Sequence, residues 1–307
     1  MNPLRGVAYK ILAALVFTIM SAGIKRLGTE YPTGQIVFFR SAFALVPLLL
    51  WLSWNGRLRR ELRTSNVSGH ILRGLAGSCG MFANFVALAY LPLSDAVVIG
   101  YAGPLLTVIL AAILLRETVR AYRWSAVGIG FAGVLVMLFP YLELGRTGAA
   151  GVYLTGAAFA LGAAGCNALS MIQVRRMTSS ETIGSIVFYF SIMTTVIGGA
   201  TIVFGWTKPG LGELGLLVVI GVLGGIGQIL QTLSCKHADA SVVAAFDYTS
   251  MIWAFLLGWM FFGQLPGPSI VVGGAIIAAA GVFVIWRERQ LGLAREKQIA
   301  TVPQRQV

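Results

Sequence analysis

Charge is what this chain has least of. Only 11% of its 307 residues are charged, while 57% are hydrophobic and the mean hydropathy is +0.82. Soluble domains carry about 25% charged residues, so this composition excludes a soluble globular domain. Acids are scarcer still, with 11 Asp and Glu against 23 Lys and Arg and a net charge of +12. In a soluble chain that balance would suggest nucleic acid. In a membrane the positions of the charges matter more than their sum, and no nucleic-acid partner is implied. The three cysteines, Cys79, Cys166 and Cys235, lie in separate apolar segments without CxxC spacing. Neither a disulfide framework nor a zinc site fits that pattern. The two histidines, His70 and His237, fall at segment edges, where solvation or capping is the expected role. No G-x-x-x-x-G-K followed by Ser or Thr occurs, and no H-E-x-x-H, which speaks against an ATP-driven pump and a zinc protease. No cofactor is implied.

Long apolar runs are abundant. They fall at 7–24, 34–54, 70–90, 95–115, 123–140, 150–173, 183–204, 213–235, 240–262 and 268–286. Only helices or closed barrels satisfy their backbone groups in lipid, and runs of this length are helices. The chain therefore reads as an all-α polytopic membrane protein with ten transmembrane helices. The first run loosely imitates a signal peptide, but nine further runs favour a retained helix. Positive charge sets the orientation. Arg5, Lys10, the Arg57–Arg63 segment, Arg73, Arg116, Arg120, Arg123, Arg175, Arg176, Lys236 and the basic tail share one side, against Lys25, Arg26, Arg146 and Lys208 on the other. Both termini are thus expected in the cytoplasm, with the polar tail 288–307 disordered.

Two segments nearly repeat each other: Ile36-Val37-Phe38-Phe39-Arg40-Ser41 and Ile186-Val187-Phe188-Tyr189-Phe190-Ser191. Further matches join Gly6 to Gly151, Tyr101 to Tyr248, and Gly133-Val134 to Gly281-Val282. An internal repeat describes the whole architecture. Five spans per half is an odd number, so residues 146–287 would enter the membrane inverted relative to residues 1–145. Inverted five-helix repeats place a substrate site where the halves meet.

Two G-x-G-x-x-G matches, Gly128–Gly133 and Gly210–Gly215, follow no strand and carry no nucleotide reading. The first reads as small residues permitting helix contact, the second as a turn entering a helix. Gly221, Gly224, Gly225 and Gly227 suggest a close helix crossing in the eighth span, or a cavity wall, with Gln228 and Gln231 following on one face. Polar groups at membrane depth are few: Arg40, Asn84, Asn167, Ser170, Gln173, Gln228, Gln231 and Asp247. Buried ionisable groups in a membrane are costly and mark function by default. Asp247, about two turns into the ninth span, could hold a substrate donor or a proton; the alternative is a rim ion pair with an arginine or contact with interfacial water. Arg40 could bind a carboxylate, phosphate or planar carbonyl, or else snorkel to the interface. Asp95, after Pro92, is expected to cap a helix. Tyr101, Phe246, Tyr248 and Trp253 lie inside repeat-related spans. Inversion puts Tyr101 toward the outer face and Tyr248 toward the inner one, as two walls or gates of a site, with core packing the alternative.

The opening of the second span, Gly34-Gln35-Ile36-Val37-Phe38-Phe39-Arg40, and Tyr101 to Leu115 leading into Arg116-Glu117 resemble the EamA family of the drug/metabolite transporter superfamily. The resemblance covers about residues 6–287 and departs at Phe262-Gly263-Gln264, where Gly-Glu is common. Within the family, Met1 to Leu12, Gly34 to Ser41 and Tyr122-Arg123-Trp124-Ser125 look most like bacterial riboflavin transporters. What this resemblance implies is a secondary transporter, not an enzyme, in the cell inner membrane. Its expected cargo is a small molecule, riboflavin or another planar or aromatic metabolite. The alternatives are an exporter of amino acids or related metabolites and, further off, a membrane-embedded lipid-modifying enzyme. A homodimer in the lipid bilayer is compatible with it. The resemblance also implies a central cavity lined by spans one, three, four, six, eight and nine. That puts Asn84, Tyr101, Asn167, Gln228, Gln231, Asp247, Tyr248 and Trp253 on lining helices.

Overall fold

The structure, a computed structural model, describes residues 3–54, 56, 58, 62–114, 121–143, 148–177, 180–237 and 246–300. Every regular element among them is helical. In chain order these are α1 (Pro3–Leu27), α2 (Thr33–Trp54), α3 (Val67–Tyr90), α4 (Leu93–Gly100), α5 (Ala102–Leu114), α6 (Ala121–Glu143), α7 (Gly148–Met177), α8 (Ile183–Ala200), α9 (Leu211–His237), α10 (Thr249–Phe262) and α11 (Pro268–Ala300). Short 3₁₀ turns at Thr201–Phe204 and Phe246–Tyr248 follow α8 and precede α10. Eight stretches among the described residues are long and apolar enough to cross a bilayer, and Phe246–Phe262 and Pro268–Val284 are shorter apolar helices. This is a multi-pass membrane protein. Leu50, Val196, Phe261 and Val272 point outward from the bundle, as side chains facing lipid do.

Local chemistry fixes the ends of the helices. The Asn66 side chain caps α3 by accepting from Gly69 N at 2.9 Å, and Thr182 caps α8 by accepting from Ser185 N at 3.2 Å. Gly263, at φ +61°, takes the left-handed conformation that closes α10, and its N–H reaches Trp259 O at 3.0 Å. The fourth expected span is not continuous. Pro104 offers no N–H to the Gly100 carbonyl, and the run breaks between α4 and α5 at Tyr101. The ninth is described only from residue 246, since 238–245 lie outside the described residues. Asp247 accordingly sits not two turns inside a helix but in the 3₁₀ turn ahead of α10. The last helix runs past Trp286 to Ala300.

Among the described residues most of the buried apolar side chains gather in one cluster. Ile24, Leu88, Leu91, Leu93, Ile99, Leu217 and Ile277 are fully buried in it. Around it α1 lies along α9 and α3 along α7. Helix α2 packs on α8 and α9, α3 packs on α8, and α6 packs on α11. Helix α10 meets α1 and α4, while α5 meets α7.

Glycines allow two of these contacts to close. A Cβ on Gly221 would meet the Phe43 side chain and, at 2.8 Å, the Phe39 carbonyl; on Gly224 it would stand 3.1 Å from Arg40 Nε. In the other contact a Cβ on Gly74 would meet the Met193 side chain, and on Gly77 it would stand 2.7 Å from Phe190 Cε2. The expected close crossing of the eighth span is therefore present, against α2, with Gly227 turned to Phe17 of α1.

Polar latches tie loops to helix starts. Gln35 at the head of α2 donates to Thr207 O at 2.8 Å and accepts from Thr207 N at 3.2 Å. Near the head of α8, Glu181 accepts from Thr64 Oγ1 at 2.9 Å, Ser65 N at 2.8 Å, Asn66 N at 2.9 Å and Ser185 Oγ at 3.1 Å.

Candidate functional site

The break in the fourth span lies against the 3₁₀ turn that leads into α10. Tyr101 stands between α4 and α5, and its ring meets the Tyr248 ring edge-on, with centroids 5.0 Å apart. The Tyr101 hydroxyl donates to Ser250 Oγ at 2.6 Å and lies 3.3 Å from Asp247 O. Ser250 Oγ in turn donates to Asp247 O at 2.7 Å, and Thr249 Oγ1 to Phe246 O at 2.7 Å. Both hydroxyls thus satisfy carbonyls that the change from turn to helix leaves open. Gly281 of α11 gives the Tyr248 hydroxyl its room, since a Cβ there would coincide with it.

A charged group adjoins the tyrosines. Lys10 of α1, only 3% exposed, forms an ion pair with Asp247 and donates to Gln231 Oε1 of α9 at 2.8 Å. The Asp247 side chain is 53% exposed, so its carboxylate keeps an open side while the ammonium is enclosed. Four spans, from both halves of the sequence, therefore meet at one point through a cation, an anion, an amide, two phenols and a hydroxyl. Such a set can bind a ligand's charged or amide edge and stack a planar ring.

Of the residues expected to line a site, Tyr101, Gln231, Asp247 and Tyr248 are brought together. Gln228 lies one turn before Gln231, half-buried. Trp253 is half-buried on α10, and its indole Nε1 is enclosed with no hydrogen-bond partner. Asn84 is half-buried on α3, and Asn167 belongs to the α3–α7 contact instead. Asn167 Oδ1 stands 2.5 Å from where a Cβ on Gly80 would be, and Cys79 Sγ lies 3.5 Å from Cys166 Sγ, both as free thiols. Arg40 lies apart from the tyrosines, 4% exposed against Gly224.

Several residues differ from their expected roles. Lys10 and Arg73, counted as rim charges, are a buried ion-pair partner and a guanidinium 3.8 Å from the Phe190 ring centre. Their positions inside the apolar runs 7–24 and 70–90 were the available signal. Ser250 carried no signal. Asp95 caps nothing: Pro92 holds the cap position of α4, and the buried carboxylate accepts from Ser94 Oγ at 2.7 Å and Tyr153 OH at 2.9 Å. It thereby fastens α4 to α7. His70 is buried rather than solvated, 3.5 Å from Glu181 and against the Tyr189 ring. Burial opposes ionisation of Glu181, but hydrogen bonds from Ser65, Thr64 and Ser185 outweigh it and hold its carboxyl at about 2.

Comparisons with known proteins agree with this architecture. The EamA-like transporter family matches the chain twice, over residues 4–139 and 154–287. The chain is 29% identical over 277 residues to the pseudopaline exporter CntI of Pseudomonas aeruginosa (strain UCBPP-PA14), covering 90% of this chain and 94% of that one. It is 29% identical over 287 residues to the S-adenosylmethionine uptake transporter of Rickettsia prowazekii (strain Madrid E), covering 94% of each. With the riboflavin transporter of Vibrio cholerae it shares 27% identity over 303 residues, covering 97% and 98%. A solved crystal structure matches with a TM-score of 0.64 over 94% of this chain and 97% of its own, at 19% identity, a likeness of fold alone.

Proposed function

The chain belongs to the EamA-like transporter family, and on that premise we propose that it takes up riboflavin, or another planar aromatic metabolite, across the cytoplasmic membrane without altering it. In this reading ten spans form two inverted repeats, residues 1–145 and 146–287. Both termini face the cytoplasm, and the halves rock about a central site. Two observations support the repeat. The family matches each half separately, and the helix contacts keep their pattern when the halves are exchanged: α1 on α9 answers α3 on α7, and α2 on α9 answers α3 on α8.

The observation that carries the reading is the contact between the break in the fourth span and the 3₁₀ turn that leads into α10. Interrupted helices at facing positions of two repeats are where such carriers hold their cargo. Here Tyr101 and Tyr248 offer aromatic faces, and Gln231 and Asp247 offer an amide and a carboxylate for imide and carbonyl edges. One observation favours a second cargo. The enclosed ammonium of Lys10 beside the open carboxylate of Asp247 also suits an amino-acid-type zwitterion, whose carboxylate and ammonium would exchange partners with the pair.

Purified protein in liposomes separates these readings. Saturable uptake of labelled riboflavin, recovered unmodified and reduced by Tyr101→Ala, is the expected result. Flux of amino acids without flavin flux would install the second cargo. A chemically altered product would replace transport with enzymatic activity.

A further inference from the structure

The buried apolar cluster lies toward one end of the bundle. It takes in Ile24 and Leu27 from the last turn of α1, Leu88 and Leu91 from the end of α3, Leu217 from the start of α9 and Ile270 from the start of α11. The C-terminal ends of α1 and α3 are drawn together there, and Ala89 Cβ stands 3.3 Å from where a Cβ on Gly28 would be. Toward the other end the same two helices turn to different partners. Helix α1 goes to α9 and the turn before α10, through Lys10 with Gln231 and Asp247 and through Tyr9 with His237. Helix α3 goes to α8, through Gly74 with Met193 and His70 with Tyr189. Asn167 and Asp247 are exposed although both belong to apolar runs of the sequence.

An ammonium closes the sealed end. Lys25 of α1, half-buried, donates to Leu91 O at 2.5 Å and to Leu88 O at 3.3 Å, and lies 5.6 Å from the centre of the Phe262 ring of α10. Those carbonyls belong to the end of α3, where helical N–H partners run out, and Pro92 offers none to Leu88. Leu88 and Leu91 are themselves buried, so their carbonyls depend on Lys25 in the closed bundle and on water once it leaves. One lysine thus ties α3 to α1 and adjoins the end of α10.

We propose that this structure is the cytoplasm-facing state of the carrier, with Lys25 as the latch of a closed outer gate, an inference that rests on the carrier reading and its orientation. On that orientation the sealed end faces away from the cytoplasm, and water reaches Asp247 and Asn167 from the open one. Opening outward parts α1 from α3 at their C-terminal ends. Lys25 then gives up both carbonyls, and water enters a region that is now apolar and closed.

The test uses the full chain in proteoliposomes, with Cys79, Cys166 and Cys235 replaced by Ala. In the first arm Gly28→Cys and Ala89→Cys are added, at a separation that suits a disulfide once the neighbours give slightly. Copper phenanthroline should take two electrons from the pair, two protons leaving with them, and the staple should stop flux of labelled riboflavin and amino acids until dithiothreitol restores it. In the second arm Ala87→Cys reports on the sealed end and Asn167→Cys on the open one, each against a membrane-impermeant maleimide. Lys25→Met should speed labelling of Ala87→Cys from the outer face about tenfold or more, the size of one lost charge-assisted hydrogen bond. Asn167→Cys, labelled from the cytoplasmic face, should react no faster, whereas a folding defect would speed both. Lys25→Arg keeps a donor for the same carbonyls and should label much as the natural lysine does. Stapled protein that carries cargo at its reduced rate would overturn the gate. So would Ala87→Cys labelling that Lys25→Met leaves unchanged, or that comes from the cytoplasmic face. The carrier reading fails separately, because labelling needs no flux. A seal that answers to Lys25 in vesicles moving neither riboflavin nor amino acids would leave a gate without a cargo.

Discussion

Removing either partner of the Lys10–Asp247 pair breaks the same contact, yet the two losses should differ several-fold. The Lys10 side chain is 4% exposed and that of Asp247 is 53% exposed. Asp247→Asn leaves an enclosed ammonium with neutral acceptors alone, Gln231 Oε1 at 2.8 Å and the new amide oxygen. Breaking a buried pair in this sense costs roughly 3–5 kcal/mol, and the surviving amide contact puts the expected loss near 3. Lys10→Met leaves a carboxylate that water already reaches, at a cost of about 0–1 kcal/mol, and the Met stem fills the path of the Lys methylenes. The double variant should track Lys10→Met, because the stranded charge is gone. Denaturant or thermal unfolding of the purified proteins in one detergent measures all three. Equal losses in the two single variants, or a larger loss in Lys10→Met, would refute the argument that enclosure decides the cost. Transport gives an independent readout. If Asp247 engages cargo or a coupling proton, the double variant should be stable and still inactive.

Three further outcomes are expected. Glu181→Gln should cost about 1–3 kcal/mol at pH 7, the size of the charge-assisted hydrogen bonds it weakens. Its carboxyl is held at about 2 against an ordinary 4.5, so its stabilisation is complete above that ordinary value and fades as pH falls toward 2. The gap between natural and variant unfolding should narrow over that window, and a gap independent of pH would contradict the account. Gly225→Ala should destabilise by about 1–3 kcal/mol, because its Cβ would stand 2.6 Å from the Ala44 carbonyl, whereas Gly212→Ala, with open space around it, should be neutral or mildly stabilising in the same unfolding assay. Cys79 and Cys166, with sulfurs 3.5 Å apart, should form a disulfide under mild oxidation, seen as joint loss of alkylation at both thiols. Thiols that both remain alkylatable would show that α3 and α7 do not hold this contact in the membrane.

Much of the fold is legible because its signals are local. Pro32, Pro92 and Pro268 mark helix starts from the backbone alone, since proline cannot donate within a helix. The glycines of the eighth span also read correctly, as a crossing against α2. The break at Tyr101 is harder to see, because the apolar run continues through it and only Pro104 announces the missing hydrogen bond. The candidate site is legible in part for another reason. Tyr101, Tyr248, Gln231 and Asp247 stand out as polar or repeat-related residues within apolar runs. Lys10 and Arg73 did not, because a tally of charge by side assigns every cation near a span end to the rim. Helices that are apolar nearly all round carry no stripe to show which face meets protein. The depth of a cation can be counted along the chain, but its partner cannot.

The one charged difference between the matched segments, Arg40 against Phe190, takes on another meaning in three dimensions. On the proposed exchange of halves, Arg40 over Gly224 corresponds to Phe190 over Gly77. By sequence one half has a guanidinium at that position and the other a phenyl ring. In the fold Arg73 lies against the Phe190 ring, so a guanidinium adjoins each of the two equivalent glycine contacts. It is supplied by α2 in one case and by α3 in the other. The two differ in their support, since Arg73 rests on an aromatic face while Arg40, at its glycine, adjoins the Met20 thioether.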